Sequence, residues 1–249
     1  MPAGDSPILV TGGTGSLGRP TVALLRSAGH DVRVLSRTAG EDRIRGDLNT
    51  GEGLAEAMNG VVTVLHLANG IGREAEQTRR VAGAATAAGA AHLVYISIVG
   101  IDGHPLSYYR RKVESEEAVR AAGVPWTILR ATQFHDFVPR LAGRQERWWL
   151  PLVPRWRMQP IDVGEVAARL VELVEAGPSG RVPDIEGPEQ GTLAGFAEQL
   201  WAAHGRPRRA VEFTLPGAAG RALRDGAGLG RLPGYGRRTF GEWVAASSR

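Results

Sequence analysis

The residues Thr11-Gly12-Gly13-Thr14-Gly15-Ser16-Leu17-Gly18 decide how this chain folds. They follow the apolar run Ile8-Leu9-Val10, which predicts a buried strand, and they open an amphipathic segment that extends through Leu25. The glycines have separate tasks: Gly13 lets the backbone turn tightly, Gly15 lets a ligand approach closely, and Gly18 lets the helix lie against the strand. Strand, glycine turn and helix in this order predict an α/β fold that begins with a phosphate-binding turn.

The same stretch predicts which kind of phosphate is bound. The spacing G-x-G-x-x-G is typical of turns that hold the pyrophosphate of a dinucleotide against the N–H groups and partial positive charge of a helix N-terminus. An ordinary tight turn is the alternative, because glycine-rich turns are common. We expect the dinucleotide to contact Gly12, Gly13, Thr14, Gly15, Ser16, Leu17 and Gly18.

Composition excludes several classes of protein. The chain has 249 residues and no cysteine, so it carries no disulfide framework, thiolate metal site or cysteine nucleophile. No grouping of His, Asp and Glu has metal-ligand spacing, and we expect no metal. The first residues lack the pattern of a signal peptide, and no apolar run is long enough to span a membrane. We therefore expect a cytoplasmic protein without a membrane partner.

The positive charge is concentrated near the end of the chain. The formal net charge is +4, and residues 205–249 hold nine arginines and three acidic residues. Such a balance could indicate nucleic-acid binding, but no basic run with interleaved aromatic residues is present. We interpret the segment as a solvated tail and expect a small-molecule substrate, no nucleic-acid partner, and a monomer or homodimer.

Strands and helices alternate through the first half of the sequence. Apolar runs predict strands at 31–36, 42–46, 61–68, 92–97 and 126–130, and intervening patterns predict helices at 73–88 and 106–122. The segment 47–58 is predicted to be a turn that leads into a helix, with Asn49 or Thr50 as a possible cap. The alternation predicts a Rossmann fold, a doubly wound parallel α/β sheet. We expect one NAD(P)-binding domain over 1–249, in which about 131–160 and 180–249 contribute a small substrate-binding lobe.

The end of the second predicted strand bears on the choice of cofactor. An NAD site usually has an acid there to hold the adenosine ribose, but this chain has Ser36 and Arg37, with Arg43 and Arg45 nearby. A guanidinium suits a ribose 2′-phosphate through paired charge-assisted hydrogen bonds. A surface arginine without this role is the alternative. The pattern predicts that NADPH is preferred over NADH.

Two further strand ends are candidates for cofactor contact, because ligands bind beyond the carboxyl ends of parallel strands. Asp47 and Leu48 follow the third strand, and the Asp47 carboxylate could accept a hydrogen bond from the adenine amino group. A plain acid at a helix start is the alternative for Asp47. Leu67, Ala68 and Asn69 follow the fourth strand and are expected along the adenosine and ribose.

The chemical step is predicted to depend on Tyr108 and Lys112. They are four residues apart, hence on one face of a helix, and Lys112 is the sole lysine among thirty basic residues. An ammonium beside a phenol favours the phenolate, so the tyrosine can exchange a proton, and it can also hold the nicotinamide ribose hydroxyls. Ser97 ends the preceding strand, where its hydroxyl could hydrogen-bond a substrate carbonyl or alkoxide. Its alternative role is to satisfy backbone groups at the strand end.

The glycine turn, Ser97 and the Tyr108/Lys112 pair together resemble the short-chain dehydrogenase/reductase superfamily, in its extended or atypical, NmrA-like branch. The stretch Ile161 to Ala167 also resembles the helix start with which such proteins return to the sheet. The resemblance covers about residues 7–215. It implies an NAD(P)-binding Rossmann fold with Tyr108 as proton donor, Lys112 as its support and Ser97 orienting the carbonyl.

These residues predict an NADPH-dependent reductase that transfers a hydride to a carbonyl or conjugated alkene of a small substrate. One alternative is a non-catalytic regulatory protein that senses NADP(H), and another is an NAD-dependent isomerase or epimerase. The epimerase would be expected to have an acid in place of Arg37.

The lobe offers candidates for substrate contact. Phe134 could pack on the nicotinamide and His135 could serve as an alternative acid, although both could simply pack a helix start in the lobe. Three tryptophans could form the floor of a pocket for a flat aromatic or polycyclic substrate: Trp148, Trp149 and Trp156. The alternative is that they belong to the ordinary hydrophobic core of the lobe.

Overall fold

A computed structural model describes residues 7–38, 40, 42–70 and 72–247 of the chain, with the side chains of 144 and 146 left aside. The chain forms two compact units. We call the first the sheet unit; it comprises Met1–Ser97, Arg110–Arg130 and Val166–Pro183. We call the second the lobe unit; it comprises Ile98–Tyr109, Ala131–Glu165 and Asp184–Arg249.

The strands, in chain order, are β1 (Ile8–Thr11), β2 (Val32–Ser36), β3 (Arg43–Arg45), β4 (Thr63–His66), β5 (His92–Ile98), β6 (Trp126–Ala131), β7 (Leu152–Pro154), β8 (Arg157–Met158), β9 (Gly180–Arg181), β10 (Gly191–Thr192) and β11 (Val211–Phe213). A parallel seven-stranded sheet has the order β3-β2-β1-β4-β5-β6-β9. Strand β2 lies on one side of β1 in the sheet, and β4 lies on the other side. The carboxyl ends of β1 and β4 therefore form the topological switch point at which open α/β sheets bind ligands.

The helices are α1 (Gly18–Ser27), α2 (Leu54–Ala57), α3 (Glu74–Ala87), α4 (Ser107–Arg120), α5 (Phe137–Ala142), α6 (Val163–Ala176), α7 (Leu193–Ala203), α8 (Gly217–Asp225) and α9 (Phe240–Ser247). The predicted doubly wound Rossmann fold is confirmed. Apolar side chains of its central strands, such as Leu9, Val64 and Leu93, are completely buried. Among the described residues, no helix is long and apolar enough to cross a membrane.

The turn predicted at the start of 47–58 is present, but the helix after it is short, since α2 occupies only Leu54–Ala57, and its N-cap is Gly53 instead of Asn49 or Thr50. Gly51 and Gly53 adopt φ values of +86° and +72°, which a right-handed helix cannot include. Before them, an Asp47 side-chain oxygen accepts a hydrogen bond from the Asn49 N–H at 2.8 Å. Asp47 thus heads the local turn that leads into α2.

The interpretation of 205–249 as a solvated tail is also wrong. Phe240 and Val244 of α9 are buried in the core of the lobe unit. The glycine-rich segment before α9 is packed closely: a Cβ on Gly230 would lie 2.0 Å from Glu186 Cγ, and one on Gly234 would lie 2.1 Å from the Gly187 carbonyl oxygen. The glycines allow close backbone packing here, a role that composition alone does not distinguish from flexibility.

The lobe unit has its own hydrophobic core, to which Val153, Met158, Leu200, Trp201 and Phe240 contribute. Its two small sheets pair β10 with β8 and β11 with β7. Helix α7 begins directly after Thr192, whose hydroxyl accepts a hydrogen bond from the Gly195 N–H at 3.1 Å.

Candidate dinucleotide and active site

The glycine turn lies directly after β1, at the switch point of the sheet. Gly12, and not Gly13 as expected, has the positive φ of +73° that makes the tight turn. A Cβ on Gly12 would lie 2.6 Å from the Ala68 backbone nitrogen, and one on Gly18 would lie 2.1 Å from the Gly12 carbonyl oxygen. Gly13 instead permits close packing, because a Cβ there would lie 2.8 Å from Val34 Cγ1. Each glycine is required, but the roles differ from the expected ones.

The N-terminus of α1 is suited to an anion. Leu17 occupies the N-cap and has no side chain that could accept a hydrogen bond, and the first turn has no acidic residue. Gly15 N–H donates to the Gly12 carbonyl at 3.0 Å, which closes the turn in front of the helix. The partial positive charge of the helix end is therefore not offset by a side chain of its own first turn.

A cleft of about 730 Å³ lies beside this turn in the sheet unit. Its lining includes Gly13 and Thr14 of the turn and three arginines, Arg19, Arg26 and Arg43. Arg26 is already engaged with Asp42 at 3.2 Å, while Arg19 Nε donates to the Thr14 carbonyl at 3.0 Å. The sequence prediction overlooked Arg19, although its place directly after Gly18 could have revealed it.

The other residues expected around the adenosine lie at the predicted strand ends. Ser36 accepts a hydrogen bond from the Thr38 N–H at 3.2 Å, and Arg37 is exposed and absent from the lining of the cleft. The Leu48 carbonyl accepts from Arg80 at 3.0 Å. The Leu67 N–H donates to the Thr11 carbonyl at 3.0 Å, which ties the chain after β4 to the end of β1. Ala68 and Asn69 follow at this edge. Contact of these residues with a cofactor stays a prediction.

The sole lysine has a partner that the sequence did not reveal. Lys112 is 4% exposed, and its Nζ donates to Tyr95 Oη at 2.9 Å and to the Ile96 carbonyl at 3.1 Å. The ammonium also lies 4.7 Å from the centroid of the Tyr95 ring. Tyr95 lies within β5, and only the packing of α4 on this strand brings it to Lys112.

His66, at the end of β4, stacks on the Tyr95 ring with the centroids 5.4 Å apart. Thr78 Oγ1 donates to the Glu74 carbonyl, so at 3.1 Å from His66 Nε2 it can only accept, and Nε2 carries the proton. Nδ1 then accepts from the Thr11 hydroxyl at 2.6 Å. Burial, and then the charge of Lys112, lower the pKa of His66 to about 3. His66 is therefore a neutral, fixed imidazole at physiological pH.

Acid is expected to destabilise the fold because His66 and His92 of the sheet unit are buried. Burial lowers the pKa of His66 to about 3 and that of His92 to about 4, against 6.5 for an exposed histidine. The unfolded chain binds more protons as the pH falls through 6.5, so we expect the free energy of unfolding to fall by about 1.2 kcal/mol for each histidine between pH 7.0 and 5.5. Urea unfolding at pH 7.0, 6.0 and 5.5 measures this loss. His92→Gln should remove part of it, and a flat profile in the wild type would contradict the assignment.

Ser97 is 2% exposed at the end of β5, beside Glu116 of α4. Glu116 forms a bidentate ion pair with Arg130, at 2.7 and 2.8 Å. Burial opposes ionisation of Glu116, but its hydrogen bonds to Arg130 and the positive charges of Arg130 and Arg120 hold its pKa below the usual range. The Ser97 hydroxyl completes no hydrogen bond of ordinary geometry among the described residues. Its predicted contact with a substrate carbonyl stays a prediction.

Tyr108 lies in the first turn of α4 and is half-buried within the lobe unit. It packs edge-on against Tyr109, with centroids 5.7 Å apart, and Tyr109 stacks on His104 at 3.9 Å. Burial, and then the neighbouring Tyr108, raise the pKa of Tyr109 to about 12 despite a hydrogen bond from Gln133. Tyr109 is thus a neutral packing residue, and Tyr108 is the more accessible phenol of the two.

His135 packs the lobe and does not have the surroundings of an acid catalyst. It is completely buried between Phe240 and Trp243, and its Nε2 lies 3.0 Å from the Arg238 carbonyl. Burial lowers the pKa of this imidazole, against the opposing effect of the carbonyl and nearby carboxylates. Phe134 is half-buried and pairs through its backbone with Ile161. The alternative of a cluster that packs the lobe fits His135.

The three tryptophans have different surroundings. Trp148 and Trp149 are 58% and 89% exposed, since they follow a short 3₁₀ helix on the surface of the lobe unit. Trp156 packs edge-on against Phe137 at 5.5 Å, next to the lobe core. The surroundings of Trp156 fit its alternative role of lobe packing, while contact of Trp148 and Trp149 with a substrate stays a prediction.

Comparison with known proteins identifies the family. The sequence model of a family described as NAD(P)H-binding matches residues 12–174, which begin at the glycine turn. A reductase of Streptomyces griseus, named (4-alkanoyl-5-oxo-2,5-dihydrofuran-3-yl)methyl phosphate reductase, is 32% identical over 85% of this chain and 78% of its own. An NAD(P)H azoreductase of Xenophilus azovorans is 28% identical over 84% and 77% of the two chains.

Solved structures show the same fold. An NADPH-dependent quinone oxidoreductase of Escherichia coli, in complex with NADPH, has a TM-score of 0.80 at 22% identity and covers 97% of this chain and 100% of its own. The chain belongs to the NAD(P)H-binding family that this model describes. It is an NAD(P)-dependent oxidoreductase.

Proposed function

We propose that the protein is an NADPH-dependent reductase of a small carbonyl compound or conjugated alkene. The observation that carries the cofactor assignment is the cleft beside the glycine turn, which Arg19 and Arg43 line in the sheet unit. The backbone of residues 12–18 would hold the pyrophosphate, and the two guanidinium groups would bind the ribose 2′-phosphate. When bound, NADPH supplies a hydride.

Side chains of the protein supply the proton and orient the substrate. Tyr108 donates its phenolic proton to the substrate oxygen, or to the carbon next to the one reduced in an alkene, as the hydride arrives. Lys112 holds the nicotinamide ribose and favours the phenolate that Tyr108 leaves behind. Ser97 orients the carbonyl oxygen. The product gains one hydride and one proton, and Tyr108 is reprotonated from solvent.

The substrate class follows from what the relatives share. Their names describe an oxo-dihydrofuran, an azo compound and a quinone, all of which are electron-poor conjugated acceptors. We extend this class to the present chain. The rival role of a sensor without activity has less support, because Tyr108 and Lys112 are both retained. An epimerase role has less support because of the arginines at the adenosine end.

The affinity for NADPH relative to that for NADH tests whether the arginines bind the 2′-phosphate. Arg19→Ala and Arg43→Ala should each raise the Kd of NADPH about 10- to 100-fold, since a hydrogen bond to a charged group is worth about 1.5–3 kcal/mol. NADH, which lacks the 2′-phosphate, should lose less than about threefold. Arg37→Ala tests the sequence prediction in the same way. Arg33→Ala is the matched control, because that guanidinium donates to the Asn59 carbonyl. Equal losses for NADPH and NADH would contradict the 2′-phosphate assignment.

Turnover tests the reaction itself. Oxidation of NADPH should be followed spectroscopically with a panel of quinones, azo dyes, unsaturated lactones and simple ketones, with product analysis by mass spectrometry. We expect reduction of at least one conjugated acceptor and a slower reaction with NADH. Tight NADPH binding without reduction of any acceptor would favour the sensor role.

A further inference from the structure

We propose that Tyr95 is a positioning residue whose hydroxyl holds the Lys112 ammonium in place for the cofactor. The inference rests on the proposed role of Lys112 toward the nicotinamide ribose. It assigns a function to a residue of β5 that takes no part in the Tyr108/Lys112 pattern. The contacts that carry it all lie within the sheet unit.

Lys112 is held from two directions. Its Nζ donates to the Tyr95 hydroxyl at 2.9 Å and to the Ile96 carbonyl at 3.1 Å, both on β5. The side chain is 4% exposed, so contacts with the protein, and not with water, fix its position. A long, flexible side chain placed in this way loses its conformational freedom before any ligand binds, which lowers the entropic cost of binding.

Tyr95 is itself fixed. It is 1% exposed, and its ring stacks on His66, which the hydroxyls of Thr11 and Thr78 hold at both nitrogens. Thr11 directly precedes Gly12 of the glycine turn. A continuous set of buried contacts therefore runs from the turn through Thr11, His66 and Tyr95 to the ammonium.

The same contacts account for the single lysine in a sequence that otherwise uses arginine. A compact ammonium can donate to a phenol oxygen and a carbonyl oxygen within a buried space, whereas a planar guanidinium is larger and presents its donors in a fixed fork. The position therefore requires lysine because of Tyr95 and Ile96, in addition to any contact with a ligand.

A double-variant comparison separates positioning from packing. Tyr95→Phe keeps the ring and its stacking on His66 and removes only the hydroxyl. We expect the Kd of NADPH to rise about tenfold, with kcat/KM falling mainly through KM for NADPH. Lys112→Met should raise the Kd at least as much, and the combined variant should match Lys112→Met, because Tyr95 acts through Lys112. The proposal would be overturned if the rise in Kd in the combined variant equalled the product of the two single rises, or if the Kd of Tyr95→Phe stayed within twofold of wild type.

Thr127→Val is the matched control. Like Tyr95→Phe, this change removes a buried hydroxyl; the Thr127 hydroxyl lies 2.8 Å from Nε2 of the buried His92. Thr127, however, lies near the amino end of β6. We expect lower stability and an unchanged Kd of NADPH. A similar rise in Kd would show that Tyr95→Phe acts only through general destabilisation.

The sole lysine also permits a direct measurement in the wild-type protein. Lysine labelled with ¹³C and ¹⁵N gives one side-chain signal, that of Lys112. We expect nuclear Overhauser contacts between its ε-methylene and the Tyr95 ring, and a shift of the signal on addition of NADPH. Absence of the ring contacts would overturn the inference even if Tyr95→Phe failed to fold. Because these readouts need no substrate, they stay informative if every acceptor of the proposed function proves unreactive.

Discussion

Tyr108→Phe should lower kcat by about 10²- to 10⁴-fold, the usual contribution of a positioned general acid. The change removes the only ionisable group of the side chain and keeps the ring that packs against Tyr109. The Kd of NADPH should stay within about twofold of wild type, since Tyr108 is proposed to act on the substrate. Steady-state rates with the best acceptor, together with fluorescence titration of NADPH, measure both quantities.

Tyr235→Phe serves as the control for the same chemical change. Tyr235 is 42% exposed in the lobe unit and has no proposed role in the reaction, so turnover should be unaffected. If Tyr108→Phe retained full turnover, the proton would come from another source. Water would be the first candidate, because His135 is buried within the lobe core.

Glu116→Gln should destabilise the protein by about 3–5 kcal/mol, the usual consequence of removing one partner from a buried ion pair. Arg130, with its side chain 9% exposed, would keep its charge without the carboxylate that binds it twice. Helix α4 would at the same time lose its ionic link to β6. Urea unfolding at pH 7 measures the free energy difference.

The matched control is Glu76→Gln. Glu76 pairs with Arg80 at a similar distance, 2.6 Å, but the two side chains are 50% and 31% exposed. We expect a loss of about 0.3–0.5 kcal/mol there, because solvent screens an exposed pair on one helix. Equal losses for the two variants would show that burial of the Glu116–Arg130 pair adds nothing to its importance.

Much of the fold was predictable because its signals are local. Apolar runs bounded by turn residues located β1, β4, β5 and β6, and the strand–glycine turn–helix order located the dinucleotide site. The predictions for the start of α2 and for the segment before α9 failed because of the conformation and packing of glycines. Gly51 and Gly53 adopt left-handed conformations that an apolar pattern does not reveal, and the glycines before α9 serve close packing, although their composition resembles that of a flexible tail.

Within the site, residue types were easier to predict than residue partners. The sequence identified Lys112 as exceptional, but it offered Tyr108 as the partner because only neighbours along a helix can be read from spacing. It likewise identified Arg37 from its place after β2, whereas Arg19, on the facing helix, lines the cleft.

The sequence by itself thus determined the class of fold, the dinucleotide-binding turn and the family, since each depends on residues close together in the chain. Only the tertiary structure decided the surroundings of the functional groups. Lys112 meets Tyr95 from 17 residues away, and Thr11 meets His66 from 55 residues away. Such contacts depend on the packing of strands and helices against one another, which no local pattern encodes.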